Sequence, residues 1–443
     1  MRVGYGFAEL PVPAGTPLGG YIDRPGHSAG TLDPLRVGAV TWFDGERRFA
    51  LAVADVICVN ADLAEHARRA VHRDMLATPP QEAHPTAGVG QAVRSGQAAH
   101  PTSGKGQAAG CEVWVAASHT HAGPETGCVP GGGVTPVPWL ERVSGAVRAA
   151  VRGAVEGERA ADGTAHRGEL HGVGADRGDP DAARTVPLDV IAVWGDDGLA
   201  GVVVVLPVHP TVLPAGNLLV SADLTGAVRA ALRARLGEGT WVVVATGAAG
   251  NVSTRFTRLG QDAAELDRLG GLVADRCLEL LAQPGTRAWT GASRVGNGRA
   301  LRDLRRARLE ADFGSLTGEY ERAAAHGDPV AARLARSRLE GVRARALGET
   351  AVTDSLSVEV GVARLGALGL VGLPGEPFLE VAESIRDGRG GPLAVLGYVN
   401  GYPGYLPTSQ AYGRAGYEVL ASAVAPGSAE SLAEAARQLL EEV

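Results

Sequence analysis

The chain has 443 residues, 45% of them hydrophobic, 21% charged and 5% aromatic, with a mean hydropathy of +0.02, a composition that permits a sizeable core and excludes a disordered or membrane-embedded protein. Forty-two basic residues against 49 acidic ones leave a net charge of -7, and without a basic stripe nucleic acid is excluded as a partner. Only Lys105 among the basic residues is a lysine, and it lies in a Gly/Gln/Ala-rich tract, so Schiff-base chemistry, pyridoxal phosphate attachment and a phosphate-binding loop, which need an ordered lysine, are excluded too.

The N-terminus, Met1-Arg2-Val3-Gly4-Tyr5, turns polar within a few residues, without an apolar stretch and cleavage site, and no run reaches the roughly 18 apolar residues of a membrane span. Cys58, Cys111, Cys128 and Cys277 are far apart and form no CxxC pair, so neither a zinc ribbon nor a disulfide scaffold is indicated. A cytoplasmic protein with a reduced interior is expected.

Val-rich, nearly continuous apolar runs of strand length recur at residues 49–59, 113–117, 188–194, 202–208, 241–246, 356–373 (two strands) and 393–399, as in strands buried on both faces. Helical spacing fills the intervals at residues 63–75, 139–155, 224–236, 263–281, 320–347, 378–386 and 429–443. This alternation predicts an α/β fold, with a mixed, largely buried central β-sheet covered by helices, in a single large catalytic domain over residues 1–443. Residues 78–110 break the pattern with a near-repeat, His84-Pro85-Thr86 and then His100-Pro101-Thr102, and read as a low-complexity insert loop. Residues 302–348, rich in Arg and Ala, read as a helical hairpin broken near Gly327-Asp328-Pro329.

Function concentrates where strands end. The run from Val113 passes straight into Ser118-His119-Thr120-His121, and residues two apart in extended chain point the same way, so one imidazole can bind a metal while the other moves a proton. A second strand ends in Val208-His209-Pro210. Asp223, which opens the next helical segment, reads at least as readily as a helix cap as a catalytic carboxylate. A third strand enters the glycine-rich turn Gly247 to Ser253, which matches neither a GxSxG elbow nor a dinucleotide fingerprint. Two more strand ends bring Pro374-Gly375-Glu376 and the tyrosine-rich Gly397-Tyr398-Val399-Asn400-Gly401-Tyr402-Pro403-Gly404-Tyr405.

With these segments in view, the chain resembles the neutral/alkaline (non-lysosomal) ceramidase family, zinc-dependent amidases that split ceramide into a fatty acid and a sphingoid base. Gly19-Gly20-Tyr21, Asp33-Pro34-Leu35, the His-Thr-His-x-Gly-Pro motif, Val208-His209-Pro210, the Gly-x-Val-Ser turn, Pro374-Gly375-Glu376 and the tyrosine-rich segment occur in family order along nearly the whole chain. The resemblance implies one Zn²⁺ per chain on His119, His209, Glu376 and Tyr405, with His121 as proton shuttle, Ser253 as the essential serine, Tyr417 on the oxyanion side, and Arg177 and Asn251 toward the substrate. Imidazoles, a carboxylate and a phenol suit zinc with a position left for water, whose pKa the metal lowers to about 7. Asn251 and Thr254 stand where the family carries aspartate and proline, which leaves the serine either a nucleophile or a positioning donor. Only 25 residues follow Glu418, so the family's C-terminal β-sandwich domain is expected to be absent.

The function expected is hydrolysis of the amide of a ceramide-like or smaller N-acyl substrate, a small molecule or lipid. One rival is a binuclear amidohydrolase barrel, which also opens with HxH at a strand end but draws on a carboxylated lysine and later histidines, whereas after His209 only His326 remains. The other is a lipid-binding pseudoenzyme of the same fold, suggested by Asn251.

Overall fold

The computed structural model describes residues 1–77, 110–308, 312–348 and 353–443. The near-repeat therefore lies outside the described residues. The fold is mixed α/β, and its strands are distributed over three larger sheets whose inner faces meet in one core.

In the first sheet the order is Cys111–Ala117, Arg48–Ala54, Arg36–Phe43, Arg2–Glu9, Arg159–Ala160. The second runs Trp241–Thr246, Gly198–Leu206, Thr185–Gly195, Asp162–His171, Thr286–Trp289, and the third Val295–Arg305, Ser355–Leu365, Leu368–Gly372, Leu393–Leu396. Each sheet is antiparallel except for one parallel pair at an edge: Arg48–Ala54 with Cys111–Ala117, Gly198–Leu206 with Trp241–Thr246, and Leu368–Gly372 with Leu393–Leu396. Parallel strands need a crossover, normally helical, and both faces covered. The apolar runs at residues 113–117, 202–208, 241–246 and 393–399 belong to these pairs for that reason.

Helices Ala61–Ala77 and Val137–Glu156 cover the first sheet, Asp223–Leu236 and Ala263–Leu281 the second, and Leu379–Arg386 and Ser428–Glu442 the third. These boundaries lie close to those the helical spacing predicts. Between the sheets, Trp42, Trp114 and Trp289 are completely buried. The Phe49 and Trp114 rings meet edge to face with centroids 4.9 Å apart, and Trp42 meets Trp289 at 6.2 Å, a geometry aromatic pairs prefer.

The Arg-rich stretch forms the helices Phe313–Ala325 and Pro329–Leu347, broken at Gly327-Asp328, while Arg302 to Arg305 close the strand that precedes them. Asp312 and Asp328 cap the two helices through their side chains. The second helix packs on the short helix Tyr417–Ala421, where Gly341 lets it approach the Tyr417 carbonyl. All four cysteines are free. No helix among the described residues is long and apolar enough to cross a membrane.

Candidate metal centre

The three parallel pairs converge at their C-terminal ends, the place where open α/β sheets present side chains to a crevice. Backbone hydrogen bonds stitch these ends together: the Ala117 N–H to the Tyr398 carbonyl, the Asn400 N–H to Val115, the Gly397 N–H to Thr246, and the Gly247 N–H to Leu206. Leaving the first pair, the chain delivers His119 and His121. The second delivers His209 and the 247–253 turn, and the third Glu376 and the 397–405 segment. His119, Tyr398 and Asn400 all hold positive φ, at 63°, 61° and 58°, a strained conformation for side-chain-bearing residues that costs of order 1 kcal/mol each and concentrates at functional sites.

His119, His121 and His209 form a group that could hold a metal ion. The Nε2 atoms of His119 and His209 lie 3.0 Å apart, and the Nε2 atoms of His121 and His119 3.3 Å apart. Nδ1 of His119 donates to the Ile57 carbonyl at 2.6 Å and Nδ1 of His209 to the Ala249 carbonyl at 3.2 Å. That tautomer places both protons on the far side of each ring and leaves two bare Nε2 lone pairs facing one another. Glu376 Oε2 stands 3.4 Å from each of these nitrogens, and this buried oxygen has no hydrogen-bond partner. Three acceptors crowded together with no proton between them are mutually repulsive unless a cation sits at their centre. Tetrahedral ligands about 2.05 Å from a zinc ion are spaced by about 3.3 Å, so the donor set fits such a metal.

Burial, reinforced by the charge of Arg177, holds His209 well below its ordinary pKa, and burial with the neighbouring His119 does the same to His121. Both are neutral, as ligation or proton acceptance requires. Gly20 has φ +90° and packs so tightly on His121 that a Cβ there would overlap Nδ1, which explains the glycine pair ahead of Tyr21.

Tyrosines wall the cluster. Tyr398 stacks on the His119 ring with centroids 4.3 Å apart, and the Tyr402 hydroxyl donates to Glu376 Oε1 at 2.5 Å; neither was singled out by the motifs, although both lie in the tyrosine-rich segment. The Tyr405 ring lies parallel to His209 at 6.4 Å. The Arg177 guanidinium sits 5.2 Å from the Tyr405 ring and 5.5 Å from that of Tyr417, held by Glu418 at 2.5 Å and the Gly250 carbonyl at 2.8 Å. Ser253 Oγ accepts the Arg255 N–H at 3.3 Å, which leaves the serine's own hydrogen for another acceptor.

Asn251 is placed elsewhere. Its Oδ1 accepts the Leu379 N–H at 2.9 Å, and its Nδ2 faces Asp176 at 3.3 Å and both oxygens of Glu380 at 3.1 and 3.2 Å. These contacts commit the polar atoms of this side chain to Asp176 and to the start of the helix Leu379–Arg386. Asp223 accepts backbone N–H groups of Val212, Leu213 and Leu224 and so ties the 209–214 loop to a helix start. His326 is exposed on the hairpin, bonded to the Arg322 carbonyl, far from the role a binuclear barrel would ask of it.

A cleft of about 280 Å³ opens onto His121, Ser253, Arg177, Tyr405 and Tyr417, with Tyr21 and the hairpin helix Pro329–Leu347 forming its outer walls. Fold and site together define a three-sheet α/β protein with a buried histidine cluster at the floor of a cleft. The crystal structure of neutral ceramidase from Pseudomonas aeruginosa is similar over 100% of this chain and 75% of its own, with a TM-score of 0.69 at 16% sequence identity. A ceramidase complexed with C2 matches over the same shares, with a TM-score of 0.71 at 16% identity. The chain thus has the neutral ceramidase fold, in agreement with the motif order in its sequence. No protein-family model and no curated protein matches the sequence.

Proposed function

We propose that the protein is a zinc-dependent amidase, a cytoplasmic hydrolase of the non-peptide C–N bond in a ceramide-like or smaller N-acyl compound. The observation that carries this reading is the meeting of two proton-free imidazole nitrogens with the unpartnered carboxylate oxygen of Glu376, beside His121, which lines the cleft. His119, His209 and Glu376, joined by the Tyr405 phenol, would hold the zinc, which when bound polarises the amide carbonyl and acidifies water. His121, neutral and buried against Gly20, accepts a proton from the attacking water and returns it to the departing amine nitrogen. Ser253 donates its free hydrogen to the amide oxygen, and Tyr417 supports the same oxygen from across the cleft. Arg177, which itself lines the cleft toward the substrate, keeps Tyr405 and Tyr417 in register through its contacts with both rings.

Metal analysis joined to turnover of an N-acyl series tests the reading. His119→Ala and His209→Ala should lose metal and activity together, whereas His121→Ala should retain metal and lose about 10²- to 10⁴-fold in kcat, the range for a general acid-base group. Loss of metal in the His121 variant would instead make it a ligand. Full activity in metal-free protein would refute the proposal.

A further inference from the structure

Five arginines, Arg177, Arg255, Arg258, Arg333 and Arg336, line the cleft against two carboxylates, Asp23 and Glu340, in a chain whose net charge is -7. Both acids are already engaged. Arg336 reaches Asp23 at 3.2 Å and Glu340 at 2.8 Å, and Arg333 reaches Glu340 at 3.3 Å. Arg177 is paired with Glu418.

Arg255 and Arg258 differ from these. Arg255 gives one N–H to the Arg177 carbonyl and Arg258 one to the Thr211 carbonyl, each at 2.7 Å, and neither is in an ion pair among the described residues. Burial, together with the charges of Arg177 and Arg333, brings Arg255 down to about 10. Both side chains are partly buried; a guanidinium partly withdrawn from water without a counter-charge is unfavourable, and its planar fork of five donors matches a carboxylate or phosphate. Arg255 and Arg258 line the same cleft as Ser253, so an anion seated there shares that cleft with the scissile amide.

We infer that the substrate carries a compact anion on its amine portion, a carboxylate or a phosphate, seated between Arg255 and Arg258 of the 253–261 turn and Arg333 of the hairpin. The inference rests on amide hydrolysis being the reaction. A fatty acyl chain has no charge to offer, which assigns the anion to the amine side. In the reaction, water oxygen bonds to the acyl carbon and the C–N bond breaks. Both water hydrogens finish on the amine, which leaves as an ammonium with its anionic group, beside the fatty carboxylate. Neutral ceramide would leave the arginines unsatisfied and be the poorer substrate.

The test compares kcat/KM of the metal-loaded protein for N-octanoylglycine, N-octanoyl-O-phosphoethanolamine and neutral N-octanoylethanolamine, with calorimetric binding of the same compounds alongside. At least one anionic compound should exceed the neutral one by about 10- to 100-fold, as charged hydrogen bonds allow, and the faster of the two names the anion. Arg258→Gln should draw that ratio toward one, and so should Arg333→Gln, a change at an exposed hairpin position that folding tolerates. Equal kcat/KM for all three compounds, or a ratio unmoved in both variants, overturns the inference. If nothing is hydrolysed yet the anionic compounds bind more tightly and Arg258→Gln abolishes the difference, the anion seat stands and the amidase reading falls. Binding that ignores the anion refutes the seat whatever the turnover.

Discussion

Removing the metal should lower the melting temperature by an amount that can be worked from the site. Without a cation, the Nε2 lone pairs of His119 and His209 face each other at 3.0 Å and Glu376 Oε2 is buried without a partner; with one, all three are satisfied. A ligand that binds only the folded state at 1,000 times its Kd stabilises it by about 4 kcal/mol. Unfolding entropy of about 2.1 cal/mol/K per residue over 443 residues amounts to about 0.9 kcal/mol/K, so zinc in that excess should raise Tm by about 4 °C. Scanning calorimetry of chelator-treated protein, with and without zinc and with bound metal measured in parallel, reads the shift. His119→Ala should reduce it to below about 1 °C. Glu376→Gln should abolish it as well, but with the opposite sign in the metal-free state: the new amide removes a buried charge and can donate to one of the nitrogens now 3.4 Å away, so the metal-free variant should melt no lower than metal-free wild type. An identical wild-type Tm with and without zinc, or an undiminished shift in both variants, would refute the reasoning.

Gly20→Ala would place a Cβ against His121 Nδ1, so it should cost more than tenfold in kcat with metal content intact; normal turnover would remove His121 from proton transfer. Asn251→Asp would set a carboxylate where Nδ2 now stands 3.1 to 3.3 Å from Glu380 and Asp176. Urea denaturation should show a loss of about 1 to 3 kcal/mol at pH 7 that shrinks at pH 4.5, where carboxyls begin to protonate; an equal loss at both would show that charge repulsion is not the cause. Burial pushes Asp223 up to about 7 against the pull of three backbone N–H groups, whereas an unfolded aspartate titrates near 3.9. The folded state then holds the proton more firmly, so the Asp223 contribution falls as pH rises from about 4 to about 7. Asp223→Asn should flatten the stability–pH curve across that window, and an unchanged slope would place the titration elsewhere.

The runs at residues 113–117 and 241–246 are legible as strands because burial on both faces writes itself as an unbroken apolar string. The polar strand Asp162–His171 carries no such mark. It is a strand because ten residues of Thr185–Gly195 and its neighbour supply its ladder, and pairing partners are not encoded in local periodicity. Arg2–Glu9 and Val295–Arg305, whose exposed and buried residues are mixed along the strand, carry no such mark either, and Arg36–Phe43 adds a third strand beyond the apolar runs read from the sequence. Without them, the buried strands gather into one central sheet on paper, where the molecule divides them among three.

Residue type and chain position were enough to single out His119, His121, His209 and Glu376, because chemistry-bearing side chains directly after apolar strands have few structural reasons to be there. Their meeting was not readable from spacing. It depends on three parallel strand pairs, each in a different sheet, ending at one point. Asn251 shows the limit most clearly: its partners Asp176 and Glu380 lie 75 and 129 residues away in sequence, so the same amide that motif order assigns to a substrate is occupied by the scaffold. Arg255 and Arg258 are likewise two arginines among many in the sequence, and only the fold, by giving carboxylates to Arg177, Arg333 and Arg336 and, among the described residues, none to them, sets them apart. Local sequence determines which side chains are available and which segments are buried, since both follow from the residues themselves; which groups are left unsatisfied depends on every distant neighbour at once, and that is decided only when the chain closes.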